Sequence, residues 1–210
     1  MAMGDNSSGQ LGDGTTNEQN KPIIINGLSN VKSIAAGADY AMFLLNDGTV
    51  MGIGGNDYGQ LGNGTTTSTK SVITIPNLTN VKQIAAGSYH TMFLLNDKTV
   101  MATGLDSYGQ LGDNDNTDKA TPIKLNDLNN VKEIKTLTTS TLFIMNDNTI
   151  KGTGDNSSFQ INNSGESIIK TPILIQDVND VRSIYSYDIS YTNSRIVYIL
   201  NDGTIKLLSK

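Results

Sequence analysis

One short motif returns along this chain every 50 residues, without drift. It reads Gly-Gln-Leu-Gly in three copies and is degenerate in a fourth; the copies are Gly9–Gly12, Gly59–Gly62, Gly109–Gly112 and Phe159–Asn162. A Val-Lys or Val-Arg motif keeps the same period, starting at Val31, Val81, Val131 and Val181. Fixed self-similarity at this length is typical of stacked supersecondary units that cannot bury their apolar faces alone.

The repeat phase is unbroken, so residues 1–210 are interpreted as one repeat domain. Its repeats are about 1–50, 51–100, 101–150 and 151–210. The hairpin motif that follows the Val-Lys motif arrives late in the last copy, so the fourth repeat is degenerate and carries a five-residue insertion between Ile184 and Ile199.

Composition excludes several classes of protein. Charged residues make up 17% of the chain, the net charge is -5, and there is no basic run, so nucleic acid is not an expected partner. No apolar stretch approaches the length of a membrane helix, and Met1 leads straight into a glycine loop without a signal peptide. The chain has no cysteine, which excludes disulfides and thiolate chemistry.

Each repeat contains four strand-length apolar segments separated by turn residues. In the second repeat these are Ile73–Ile75, Val81–Ala86, Thr91–Leu95 and Thr99–Ala102. The turn at Asn46–Thr49 contains Asp-Gly between two apolar runs, which favours a tight hairpin. Lys98 and Asn148 replace this glycine in the next two copies. The pattern predicts an all-β chain with four strands per repeat, as in a propeller blade.

These motifs together resemble the regulator of chromosome condensation repeat. The likeness covers all four copies and joins the loop at Asn56–Gly64, the strand at Val81–Gly87, the stretch Ser88–Thr91 and the turn at Asn96–Val100 at fixed separations. The resemblance implies a β-propeller, usually seven-bladed, with complete blades at about 31–75, 81–125 and 131–175. Copies three and four depart from the pattern, because Leu137 and Tyr187 stand where Gly37 and Gly87 stand.

Both ends of the chain supply the same strand of a blade, which leaves two arrangements open. The chain closes as a small four-bladed ring, its N-terminal strand completing the last blade, or it is an arc of a larger propeller. An arc has open blade edges, through which chains can associate with one another.

No catalytic set or cofactor site emerges from the residues. His90 is the only histidine, and Asp47, Asp97, Asp147 and Asp202 share one turn phase. The segment Asp113–Asp118 is the densest group of oxygen ligands, but it fails the EF-hand pattern at both its glycine and its glutamate. A calcium site of another kind stays open there. We therefore expect no enzyme, no cofactor and no catalytic residue.

The expected function is a non-enzymatic scaffold that binds a protein through its loops. Possible partner-binding residues are Tyr40, Tyr58, Tyr89, His90 and Tyr108, although packing between blades explains these tyrosines at least as well. The repeated glycines are interpreted as architectural: Gly9, Gly12, Gly37, Gly59, Gly62, Gly87, Gly109 and Gly112. Tyr185, Tyr187, Tyr191 and Tyr198 form either a patch for a partner or a cap on the last blade.

The resemblance implies three roles for such a scaffold. These are a module of a larger bacterial surface protein, nucleotide exchange on a small GTPase, and inhibition of a secreted β-lactamase. The Asn-rich, weakly charged composition favours the first, and with it a cell-surface or secreted location over a cytoplasmic one. A propeller enzyme is the remaining alternative, and the single histidine counts against it.

Overall fold

The protein is described here from a computed structural model, which covers residues 1–159, 161–162, 165–176, 178–190 and 193–208. Every regular element in these residues is a β-strand, and all strand pairs are antiparallel. The prediction of an all-β fold is confirmed. Within the part of the chain that is described, no helix has the length and apolar character needed to cross a bilayer.

Three sheets have four strands each and form complete blades, in which every strand pairs with the next along the chain. The first blade comprises β3 (Val31–Ala36), β4 (Tyr40–Leu45), β5 (Val50–Gly54) and β6 (Thr69–Thr74). The second comprises β7 (Val81–Ala86), β8 (His90–Leu95), β9 (Val100–Gly104) and β10 (Lys119–Lys124). The third comprises β11 (Val131–Thr136), β12 (Ser140–Met145), β13 (Ile150–Asp155) and β14 (Ile168–Leu174).

The two ends of the chain form incomplete blades. β1 (Ala2–Gly4) pairs with β2 (Gln19–Ile23), and these two strands correspond to the third and fourth strands of a blade. The fourth blade has three strands, β15 (Val181–Ser190), β16 (Asn193–Leu200) and β17 (Ile205–Leu208). Because β2 and β17 lie in separate sheets, the N-terminal strand does not complete the fourth blade, and the described blades form an open row rather than a four-bladed ring.

The five-residue insertion lies in the first hairpin of the fourth blade. β15 has 10 residues and β16 has 8, whereas the matching strands of the complete blades have 6. Of the four tyrosines in this region, Tyr198 is buried, Tyr185 is exposed, and Tyr187 pairs through its backbone with Arg195. Tyr191 lies outside the described residues.

A repeated turn joins the second and third strands of each blade. The third residue of the turn has positive φ in all four copies, at Gly48, Lys98, Asn148 and Gly203. The preceding aspartate accepts a hydrogen bond from the threonine amide, as between Asp47 Oδ1 and the Thr49 nitrogen at 2.9 Å. Hydrogen bonds from the hydroxyl and the amide of this threonine hold the pKa of the turn aspartates below the ordinary value. The interpretation of these carboxylates as turn formers is confirmed.

The core lies between blades rather than within one. Met92, Leu94 and Val100 of the second blade belong to one buried cluster with Ile134 and Phe143 of the third. The first and second blades, and the third and fourth, bury equivalent clusters. Each blade therefore has two different apolar faces, one turned to the preceding blade and one turned to the following blade.

Candidate functional site

Short loops between the first and second strands of successive blades are joined by backbone hydrogen bonds. The Ala38 amide donates to the Ser88 carbonyl at 3.1 Å, and the Ser88 amide donates to the Thr138 carbonyl at 3.3 Å. The three loops line one pocket, with residues 36–38, 86–88 and 136–138 around it. These loops and the Gly-Gln-Leu-Gly loops meet on one side of the row of blades, which we call the loop face.

The Gly-Gln-Leu-Gly loop is stabilised by its own side chains. Asn56 Oδ1 accepts from the Leu61 amide at 3.0 Å, and Asn56 Nδ2 donates to Asn63 Oδ1 at 3.1 Å. Gln60 Oε1 accepts from the Tyr58 amide at 3.0 Å. The same bond from an amide to the glutamine Oε1 recurs at Ser8 and Tyr108, so the residue just before the first glycine of each loop is held in one place.

The loop glycines have a conformational and a steric role. All six have positive φ: Gly9, Gly12, Gly59, Gly62, Gly109 and Gly112. A Cβ at Gly59 would overlap the backbone of Ala120 in β10, because the loop lies against the outer strand of the next blade. Phe159 takes the same positive φ in the fourth repeat, so this turn persists there without its glycine.

Gly37 and Gly87 are required for a different reason. A Cβ at Gly37 would overlap the ring of Tyr40, and a Cβ at Gly87 would overlap the ring of His90. These glycines therefore leave room for an aromatic ring three residues later.

The structure places Tyr40 and His90 in the interior, where they link neighbouring blades. The Tyr40 hydroxyl donates to the His90 carbonyl at 2.6 Å and lies 3.0 Å from the Thr91 hydroxyl. Both side chains are buried, so a partner could not contact them in this conformation. Of the two interpretations of these residues, packing between blades agrees with this placement and partner binding does not.

The His90 ring makes the equivalent link to the third blade. Its Nε2 lies 3.0 Å from Thr141 Oγ1, and Thr141 donates its own hydroxyl proton to the Gln110 carbonyl at 2.9 Å. Nε2 must then carry the proton of the His90 ring. Burial lowers the pKa of His90 to about 3, so the ring is neutral at physiological pH.

Tyr58 and Tyr89 meet on the loop face, across the boundary between the first and second blades. Their ring centroids are 5.2 Å apart with an interplanar angle of 55°. Tyr58 is exposed and Tyr89 is half-buried. One repeat earlier, the same two positions hold Ser8 and Asp39, and Ser8 Oγ donates to Asp39 Oδ2 at 3.2 Å. One repeat later they hold Tyr108, which is half-buried, and the buried Thr139.

Two carboxylates of the first blade, Asp39 and Asp57, lie at or beside the paired loop positions and give them a negative charge. Burial raises the pKa of Asp39, and the charge of Asp57 raises it further. Burial also raises the pKa of Tyr89, followed by the nearby charges of Asp39 and Asp57. Asp39 Oδ1 is buried and has no hydrogen-bond partner among the described residues. The site thus combines two aromatic rings with two carboxylates.

The sequence did not single out Asp39 and Asp57. Position 39 is occupied by Asp39, Tyr89 and Thr139 in successive repeats, but the positions on either side vary as well. Position 40 varies and is buried, so divergence alone does not mark a surface position, and only the structure shows that position 39 faces position 8.

The segment Asp113–Asp118 holds an ammonium group in this structure. Lys119 Nζ lies 3.0 Å from Asp113 Oδ2 and 3.0 Å from Asp115 Oδ2, and Asp118 Oδ1 accepts from the Asp106 amide. Among the described residues, no three carboxylate or histidine side chains come together as a metal site. The geometry does not support calcium there.

Comparison with known proteins agrees with the blade architecture. A model described as the regulator of chromosome condensation (RCC1) repeat matches residues 2–44 and 47–94, and a second model of the same description matches residues 31–60 and 81–110. The chain belongs to the RCC1 repeat family. The β-propeller class predicted from the sequence is therefore confirmed.

Solved RCC1-type propellers superpose on nearly the whole chain. Human WBSCR16 is 21% identical and gives a TM-score of 0.80, covering 99% of this chain and 56% of its own. Yeast Prp20 is 21% identical and gives a TM-score of 0.78, covering 91% of this chain and 48% of its own. This RCC1-repeat chain thus spans about half the length of these proteins. No curated protein sequence matches it.

Proposed function

We propose that this chain is a non-enzymatic protein-interaction module, which binds a protein partner through the paired loop positions. One observation carries the proposal: the framework of the loop face is repeated, whereas the pair it presents changes from Ser8–Asp39 to Tyr58–Tyr89 to Tyr108 with Thr139. Loops held by a rigid scaffold are where binding residues concentrate, and divergence on them can encode a partner.

The chemistry of the Tyr58–Tyr89 pair suits a protein surface. Tyrosine supplies a large contact area and a polar tip at low entropic cost, and it is enriched among the residues that dominate binding energy. Asp39 and Asp57 give the site a negative charge, which favours a partner segment with N–H donors or basic side chains.

Related propellers support the choice of a protein as the partner. Solved structures of yeast Prp20 describe it bound to Kap60 and report its binding to Gsp1p and histones. We extend only the class of partner to this chain. Nucleotide exchange on a GTPase and inhibition of an enzyme stay alternatives within that class.

The arrangement of the ionisable groups argues against an enzyme. The single histidine is buried and neutral, and the repeated aspartates are held in turns. We further propose, from the Asn-rich and weakly charged composition, that the module is part of a larger bacterial surface protein.

Photocrosslinking tests the binding site directly. A photoreactive amino acid replaces Ser7, an exposed residue that precedes Ser8 of the Ser8–Asp39 pair, and the chain is exposed to extract of its source cells. A crosslinked protein is then purified and titrated against the wild-type chain and against the Tyr58→Ala/Tyr89→Ala variant. We expect the double variant to bind at least about tenfold more weakly, because an aromatic anchor commonly contributes more than 1 kcal/mol.

The control is Leu174→Ala, which removes an exposed apolar side chain from the third blade, away from the paired positions. It should leave the affinity unchanged. Equal affinities of the double variant and the wild type would refute the assignment of the site, and so would an equal loss in the control.

A further inference from the structure

The first blade has an apolar face that no other blade covers. Ile34 is 64% exposed, whereas its equivalents Ile84, Ile134 and Ile184 are 7%, 1% and 8% exposed. Val31 in the same strand is also exposed, while Val81, Val131 and Val181 are buried. We call Val31 and Ile34 the first-blade open face. They are exposed because β1 and β2 provide only the third and fourth strands of a preceding blade.

The fourth blade has an uncovered face of the opposite kind. Ile205 is 63% exposed, whereas its equivalents Val50, Val100 and Ile150 are fully buried. Leu207 and Tyr185 are exposed beside it, and Val197 and Ile199 are half-buried. We call these residues the fourth-blade open face.

The two open faces are the two sides of an interface that the chain already contains. Val100 and Ile134 pack in one cluster between the second and third blades, and Val50 and Ile84 pack in one cluster between the first and second. Ile205 has the phase of Val50 and Val100, and Ile34 has the phase of Ile84 and Ile134. We propose that two copies of this chain associate head to tail, the fourth-blade open face of each packing against the first-blade open face of the other.

The incomplete sheets fit the same arrangement. The fourth blade lacks its outer strand, and β2 is an outer strand whose only sheet partner in the described residues is β1. β17 has the same phase as β1, which is only 3 residues long. In the docked pair, β17 takes the place of β1 beside the partner's β2, so the fourth blade gains its fourth strand. Such an exchange of equivalent elements is a low-cost route to a dimer.

The blade count is compatible with a second copy as the occupant. With β2 exchanged, each chain contributes four complete blades, so two chains contribute eight, which is more than the seven usual for this repeat and at the upper end of the range of about four to eight for propellers. Two copies related by a twofold axis form the same interface twice and leave no face open.

Light scattering on a size-exclusion column tests the proposal. We expect a species of twice the 22.5 kDa of one chain, dissociating only on dilution. Ile34→Asp and Ile205→Asp should each weaken association at least about hundredfold, because docking would bury an unpaired charge. Both residues are exposed in the single chain, so the variants should fold, which circular dichroism checks.

Mixing the two variants separates this mode from other kinds of dimer. The Ile34→Asp chain keeps a working fourth-blade open face, and the Ile205→Asp chain keeps a working first-blade open face. The mixture should therefore associate through this one intact interface, more weakly than the wild type, although each variant alone stays monomeric. Leu174→Asp is the matched control: Leu174 is exposed, its equivalents Thr74 and Lys124 are exposed and polar, and the dimer should persist.

Three results would overturn the proposal. They are a wild-type monomer at high concentration, a dimer that survives Ile34→Asp, and a mixture that fails to associate. A wild-type monomer would leave a further blade of a longer chain as the natural cover for these faces. The outcome is independent of the loop-face proposal, because Tyr58 and Tyr89 belong to neither open face.

Discussion

At the scale of single residues, the pairing of glycine with an aromatic ring explains a departure that the sequence shows but does not explain. Gly37 faces Tyr40 and Gly87 faces His90, whereas the third repeat has Leu137 and Ser140 at these positions. In the third blade the large side chain stands at the first of these two positions and the small one at the second, so the blade is repacked rather than distorted. The sequence contains both changes, but the contact that couples them is visible only in the structure.

Gly87→Ala tests this coupling. The new Cβ would overlap the His90 ring, and we expect a loss of about 1–3 kcal/mol in the free energy of unfolding. In a His90→Ser background the same change should cost less, by at least about 0.5 kcal/mol, because the ring is absent. Urea denaturation of the four chains of the cycle measures the difference. An equal cost in both backgrounds would contradict the coupling.

Asp106 is a second residue whose role depends on its repeat phase. Asn6, Asn56 and Asn156 stand at this phase, and Asn6 and Asn56 each donate from Nδ2 to the residue seven positions later. An ionised Asp106 cannot donate. Burial, and after it the neighbouring Asp113, raise the pKa of Asp106 from 3.8 to about 8. Asp106 is therefore protonated in the folded chain at neutral pH.

Asp106→Asn should remove a pH dependence of stability. The unfolded chain loses the proton near pH 4 and the folded chain near pH 8, so the free energy of unfolding falls as pH rises between these values. We expect the variant to be more stable than the wild type by about 1–3 kcal/mol at pH 8, and by much less at pH 4. Urea denaturation across this range measures the gap. A gap that is independent of pH would show that Asp106 is not protonated in the fold.

At the scale of strands and turns, the buried strands could be predicted from the sequence more accurately than the exposed ones. The three inner strands of each blade were predicted within about two residues, because they are apolar and bounded by turns. The outer strand was predicted at Ile73–Ile75 but starts at Thr69. Its first residues, Thr69, Lys70 and Ser71, are polar and largely exposed, so neither composition nor alternation distinguishes them from a loop. Backbone pairing with β5 makes them a strand.

Thr141→Val tests how strongly side chains join the elements of neighbouring blades. The change removes the hydroxyl between His90 and Gln110 and leaves their buried polar atoms unpaired. We expect a loss of about 1–3 kcal/mol in the free energy of unfolding. Thr66→Val is the control, since Thr66 is exposed, and should change stability by less than about 0.5 kcal/mol. Thermal or urea unfolding decides, and similar values for both variants would show that the link contributes little.

At the scale of the whole molecule, the repeat predicted the blades but not how the ends are used. Periodicity specifies what each blade buries against its neighbours, because every interior interface repeats the same phases. Periodicity does not show what lies beyond the first and last blades, so a ring and an arc were both compatible with it.

The loop face was predicted only in part. Tyr40 and Tyr89 lie one position apart in the repeat, and that step makes Tyr40 buried and leaves Tyr89 half-buried on the loop face.

Each Gly-Gln-Leu-Gly loop lies against the outer strand of the next blade and nowhere beyond it. Gly9 lies beside Lys70, Gly59 beside Ala120 and Gly109 beside Lys170. Because every such contact joins only consecutive repeats, a gene encoding this chain can gain or lose a whole 50-residue unit by unequal recombination and still specify compatible neighbours. A shift of one residue within the loop or within the outer strand it contacts would break the register of that contact. Repeat number is therefore free to vary during evolution, and repeat length can change only outside these contacts, as the five-residue insertion in the first hairpin of the fourth blade does.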